Sequence, residues 1–84
     1  MKWRLLIALQ ALEFAEQLPS RARKAIRAKL IELESHPEHC SEYLEYDANG
    51  RLLDACVCEG YVIIYWQDAA DHQVKVLRIE PADS

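Results

Sequence analysis

Five basic residues, Arg21, Arg23, Lys24, Arg27 and Lys29, crowd one short stretch of this sequence, and no acidic residue lies within residues 20–31 to neutralise them. Guanidinium and ammonium groups grouped in this way can hold the phosphates of a nucleic-acid backbone. Arginine and lysine are also good helix formers, so a solvated helix face is the plainer reading, although such a face more usually mixes signs. A second group joins Cys56 and Cys58, two apart, with His36, His39 and Cys40. Thiolates and imidazoles are zinc donors, but a structural site uses a Cys-x₂₋₄-Cys knuckle. Cys-x-Cys on a strand and adjacent His39 and Cys40 fit that geometry poorly, so sheet packing is the expected role of Cys56 and Cys58. No metal and no other cofactor is expected. Tyr61, Tyr65 and Trp66 form a third group. Aromatics on a sheet can stack bases, or they can belong to a second core. Asp54 sits between apolar runs and has Arg51 and Arg78 as candidate partners.

The elements that must position these groups centre on residues 54–79. Tyr61 to Trp66 is six consecutive apolar or aromatic residues, which predicts a central strand covered on both faces. Tyr61, Ile63 and Tyr65 then share one face, and Val62, Ile64 and Trp66 the other. Glu59-Gly60 before it and Asp68 to His72 after it read as turns, with strands at Arg51–Cys58 and Gln73–Ile79. Simple alternation puts Val74, Val76 and Arg78 on one face of the last strand and Lys75, Leu77 and Ile79 on the other. Asn49-Gly50 is a strong hairpin signal and predicts an additional strand at Tyr43–Asp47.

Ahead of the sheet, Lys2 to Ile7 alternates polar and apolar residues and reads as a first strand. From Ala8 the period changes to that of a helix of about three turns, stopped by Pro19. Ser20 is the expected N-cap of a second helix, in which Ala22, Ile26, Leu30 and Leu33 make an apolar stripe. Ser35 to Pro37 stops that helix, an irregular acidic stretch follows, and Pro81 ends the ordered part. The expectation is one α+β domain over residues 1–84, with two helices on one face of a twisted antiparallel sheet of three or four strands.

A core this small leaves room for a partner to cover apolar strand faces. Charge is divided: residues 1–30 carry seven Lys/Arg and two Glu, a net +5, whereas residues 31–84 carry three Lys/Arg and twelve Asp/Glu, a net −9. That balance opposes a protein wrapping nucleic acid with its whole surface. No apolar run approaches the roughly 20 residues of a membrane span. The N-terminal run breaks at Gln10 and meets Glu13 and Glu16, unlike a signal peptide. With three cysteines, an odd number, the cytoplasm is the expected compartment.

In their order and spacing these pieces resemble the RelE/ParE toxins of type II toxin–antitoxin systems. The resemblance covers nearly the whole chain. It is carried by the short first strand, by Leu18-Pro19 before the basic helix, by the helix ending Leu30 to Pro37, by Gly60 to Tyr65, and by Val74 to Ile79. It implies a small sheet with two N-terminal helices. RelE-type members cut messenger RNA on the ribosome and ParE-type members poison DNA gyrase, each held inactive by a small antitoxin that wraps over it. The implied partners are therefore an antitoxin, or self-association through the sheet, with ribosome and mRNA or gyrase as targets. Arg21, Arg23, Lys24, Arg27 and Lys29 become RNA-binding candidates, and Arg51, Lys75 and Arg78 the phosphate-contact candidates. The chain departs from the RelE pattern where basic residues are expected. Those positions fall at Leu53, Ala55 and Val62, and the C-terminal basic segment is replaced by Glu80 to Ser84. The expected function is a toxin-like component acting by binding, with weak or no ribonuclease activity. An active ribosome-dependent endoribonuclease and a non-toxic interaction module are the alternatives.

Overall fold

The computed structural model describes residues 2–82. Eight elements follow in order: β1 (Arg4–Ile7), α1 (Leu9–Glu16), α2 (Ser20–Ser35), α3 (Pro37–Cys40), β2 (Tyr43–Tyr46), β3 (Leu52–Cys58), β4 (Tyr61–Asp68) and β5 (Gln73–Pro81). One five-stranded sheet has the order β1-β5-β4-β3-β2. The meander from β2 to β5 is antiparallel, as its turn chemistry requires. At Glu59 and Gly60 both central residues of the β3–β4 turn have positive φ, the twist that matches two right-handed strands. At the β2–β3 turn Gly50 takes φ +81°, and Asp47 Oδ1 accepts from the amides of Asn49 and Arg51 at 2.9 and 2.8 Å.

Several expectations change. The sheet has five strands and is mixed, because β1 joins β5 in parallel, Arg4 opposite Gln73 and Ile7 opposite Val76. A parallel neighbour needs a long crossover, and the two helices with the meander provide it. Pro19, not Ser20, holds the cap position of α2, and Ser20 is its first helical residue. The first helix has two turns, closed by amides of Gln17 and Leu18 returning to Phe14 and Ala15. The stretch expected to be irregular contains α3, with Pro37 in its first turn, where a missing N–H costs nothing. The last strand continues through Glu80 to Pro81.

The helices lie on one face of the sheet. Ile26 and Leu33 of α2 and Ala11 and Ala15 of α1 are buried against Cys56, Ile63, Tyr65, Val74, Val76 and Ile79, with Ala22 and Leu30 beside them. The expected stripe of α2 is thus the face that meets the sheet. Ile79 lies on the helix side with Val74 and Val76, contrary to simple alternation. A bulge between the Ile64–Arg78 and Tyr65–Val76 pairings leaves Leu77 as an extra residue, which shifts the phase of everything after it. No helix among the described residues is long and apolar enough to cross a membrane.

Tyr65 ties the layers together. Its ring is fully buried, and its hydroxyl donates to the Pro37 carbonyl at 2.6 Å, fixing α3 on the sheet. Tyr65→Phe leaves that buried carbonyl without its partner and is expected to cost about 1–3 kcal/mol. Tyr46→Phe, at an exposed ring, is expected to stay within about 0.5 kcal/mol. Urea unfolding of both variants measures the contrast.

Candidate functional site

The face of the sheet away from the helices is the first candidate. Leu53, Ala55, Val62 and Ile64 are buried there, with Trp66 and Leu77 packed on them, and no helix residue belongs to this cluster. The face covers itself. Arg51 and Lys75 lie over the Trp66 ring, 4.7 and 4.8 Å from its centre. Cations on an indole are attracted by its quadrupole, and their stems shield apolar surface. The tips of these cations are occupied. Arg51 pairs with Asp47 at 3.7 Å and Lys75 with Asp68 at 3.1 Å. The hydrogen bond from Lys75 is the main reason the Asp68 carboxyl titrates below its ordinary value.

Arg78 completes the group, on a face other than the one alternation assigns it. The bulge at Leu77 sets Arg78 opposite Ile64, on the same side as Lys75 and Leu77. Its guanidinium reaches Glu45 on the edge strand at 2.5 Å and Glu80 at 3.3 Å. The three phosphate-contact candidates therefore share one face, and each is already bound to a carboxylate. Asp54, expected near Arg51 or Arg78, lies on the other side. It accepts from the Ser41 hydroxyl at 2.7 Å and from Gln67 Nε2 at 3.1 Å.

Of the aromatic group, only Trp66 belongs to this open face. Tyr61 and Tyr65 face the helices, Tyr61 meeting Phe14 edge-on at 5.9 Å. Cys56, Cys58 and Cys40 belong to the helix-side core as free thiols. Burial pushes the Cys56 thiol up to about 12, so it stays protonated and apolar in behaviour. Among the described residues no group of three or more metal-ligating side chains converges.

The basic residues of α2 lie beyond the opposite face and do not act as one cluster. Arg21 pairs with Glu59 and Lys29 with Glu32, whose hydrogen bond holds the lysine above its ordinary range. Arg23 donates weakly to the Leu18 carbonyl at 3.4 Å. Among the described residues Arg23, Lys24 and Arg27 have no carboxylate in salt-bridge range. Arg23 and Arg27 line a groove of about 320 Å³ formed by β1, α1 and α2. Leu5, Ile7, Leu12, Ile26, Leu30 and Ile31 supply its apolar lining, and Glu16 and Glu34 add charge. Ile31 stays 58% exposed at its rim. Sequence reasoning missed this groove. Its one signal was Ile31, an apolar residue off the buried stripe of α2, next in sequence to Leu30.

Comparison with known proteins places the architecture. No protein-family model matches the sequence, and no curated protein does. Solved structures match almost end to end. A chain of the archaeal RelE–RelB complex from Pyrococcus horikoshii superposes with a TM-score of 0.79 at 20% identity, covering 98% of this chain and 97% of that one. A chain of the toxin–antitoxin complex RelBE2 from Mycobacterium tuberculosis gives 0.81 at 17% identity, with 96% and 99% covered. The isolated RelE toxin of E. coli gives 0.67 at 20% identity, with 98% and 86% covered. The chain thus adopts the arrangement expected from the phrases around Gly60 and Val74, and it has the fold of the RelE toxins.

Proposed function

We propose that this chain is the toxin-like component of a type II toxin–antitoxin module, acting by binding and with weak or no ribonuclease activity. The fold supports the class, since the matching structures include RelE chains solved in complexes with antitoxins. One observation carries the second half: each of the three phosphate-contact candidates Arg51, Lys75 and Arg78 is held by a carboxylate, and the residues among them are Leu53, Ala55, Val62 and Ile64. Cleavage through a ribose 2′-hydroxyl needs a base, an acid and free cationic groups at the phosphate. Losing one strong contact of that type costs about 3–4 kcal/mol of transition-state stabilisation, and here several are missing together. The unpaired arginines of α2 favour the second reading, an active ribosome-dependent nuclease, because they remain able to grip a phosphate backbone.

The groove between β1, α1 and α2 is the natural seat for the antitoxin. Its lining is mainly apolar, with Arg23 and Arg27 balanced by Glu16 and Glu34, so it suits an amphipathic segment with apolar anchors and polar flanks. A partner there covers Ile31 and Leu12, which the fold leaves exposed.

Two measurements follow. On inducible expression in bacteria, growth arrest without new mRNA ends is expected. Cuts inside ribosome-protected codons overturn the reading in favour of the nuclease, and absence of arrest moves the chain to the non-toxic interaction module. The second measurement uses an antitoxin candidate, a small protein taken from a reading frame adjoining this gene where one is found. Replacing Ile31 by Asp together with Arg27 by Glu is expected to weaken its binding by at least about tenfold, or about 1.4 kcal/mol. Arg78→Ala, on the other side of the sheet, is expected to leave that affinity unchanged. The opposite pattern removes the groove as the seat.

A further inference from the structure

The open face carries a second layer of information, in its carboxylates. Arg78 does not stand up from the sheet. On a flat sheet β5 and the edge strand β2 are three strand spacings apart, about 14 Å. For Arg78 to meet Glu45, both side chains must lie along the surface, over the buried floor made by Ile64, Ala55 and Leu53. Glu80, on the same strand as Arg78, takes Nε. One guanidinium is thus held from two sides.

The four carboxylates of this face do different work. Asp47 accepts from two amides of its hairpin turn, and Asp68 accepts from the Asp71 amide in the β4–β5 loop. Their pairing with Arg51 and Lys75 is incidental to a turn. Glu45 and Glu80 cap nothing. Among the described residues the only hydrogen bonds their side chains make are to Arg78. Half-exposed ion pairs contribute little to stability, so folding does not account for two carboxylates on one arginine.

Their effect on ligand choice is larger. With them the face holds four cations, Arg51, Lys75, Arg78 and the peripheral Arg4 of β1, against four carboxylates, and an approaching phosphate meets no net positive charge. Without them the same face has a free guanidinium over an apolar floor, beside an indole and two further cations. Planar guanidinium, aromatic surface and excess positive charge are what a single-stranded nucleic acid binds. We propose that Glu45 and Glu80 are specificity-determining residues that keep single-stranded nucleic acid off the open face by sequestering Arg78. This rests on the reading of the open face as non-nucleolytic, and names the residues that enforce it.

The test is fluorescence anisotropy with a labelled single-stranded RNA of about 12 nucleotides at about 50 mM salt. The Glu45→Gln/Glu80→Gln variant is expected to bind at least about tenfold more tightly than the unaltered protein, with a steeper salt dependence. Adding Arg78→Ala should abolish the gain. Glu13→Gln/Glu38→Gln makes the same change in net charge away from this face, on the exposed sides of α1 and α3. A gain equal to that of the clasp variant in this control overturns the inference, because net charge alone then accounts for it. No gain in the Glu45/Glu80 variant, with a thermal transition matching the parent, also overturns it and leaves the proposed function standing. Tight RNA binding by the unaltered protein instead counts against the proposed function itself. Near-isosteric amides at two half-exposed positions keep the fold, and the thermal transition verifies it.

Discussion

Strand β4 must bury both of its faces, and the chain has helices for only one. That constraint shapes the rest of the molecule. On the helix side, Ile63 and Tyr65 meet the stripe of α2, and burial follows the ordinary logic of a helix layer on a sheet. On the other side Val62 and Ile64 are also buried, at 4% and 0% exposure, without any helix above them. The cover comes from the sheet's own side chains: Trp66, Leu77 and the hydrocarbon stems of long cations. A lysine or arginine used in this way must lie down, and its charged tip then reaches a neighbouring strand or loop. Carboxylates at those places complete the arrangement. Scarcity of helices thus explains why Arg51, Lys75 and Arg78 are paired.

The bulge at Leu77 is the device that makes this possible on β5. Regular alternation would send Arg78 into the helix-side core, where an unpaired guanidinium is costly, and would bring Ile79 into the open. One extra residue reverses both assignments. It gives the open face Leu77 and Arg78 in succession, an apolar plug followed by a clasp. It returns Ile79 to the core with Val74 and Val76. Local backbone irregularity here sets which face carries charge.

The sequence was legible where a signal is local. The apolar run of β4, the Asn49-Gly50 turn, the Glu59-Gly60 turn and the stripe of α2 each follow from residue type and period over a few positions. The resemblance to RelE/ParE toxins rested on equally local phrases, the first strand, Leu18-Pro19, Leu30 to Pro37, Gly60 to Tyr65 and Val74 to Ile79, and the superpositions support the fold it implied. The parallel pairing of β1 with β5 was not legible, because it joins residues about 70 apart through backbone groups that every sequence has. Nor was the bulge: Leu77 and Arg78 have no glycine to mark it, and alternation over Val74 to Ile79 reads cleanly. The candidate site was half legible. Arg51, Lys75 and Arg78 were picked out and do share a face. Their carboxylate partners were not, because Glu45 and Arg78 come from strands three places apart in the sheet. The groove was invisible for the same reason, being assembled from β1, α1 and α2.

The division of charge along the chain becomes a division across the molecule. The basic first thirty residues build β1 and most of the helix layer, whereas the acidic remainder builds the meander and its loops. The unpaired cations Arg23, Lys24 and Arg27 therefore stand on one side, and the paired cations Arg51, Lys75 and Arg78 on the other. The sheet and its helix-side core lie between the two sets, so they do not share one contact surface. A partner segment on the helix side meets an apolar groove in which the unpaired Arg23 and Arg27 stand beside Glu16 and Glu34. Over the buried floor of the open face the same partner meets cations whose charge is already matched, with Arg4 standing apart on the edge strand β1. Residue counts alone pointed to a basic half and an acidic half; the fold turns them into two surfaces that prefer different company.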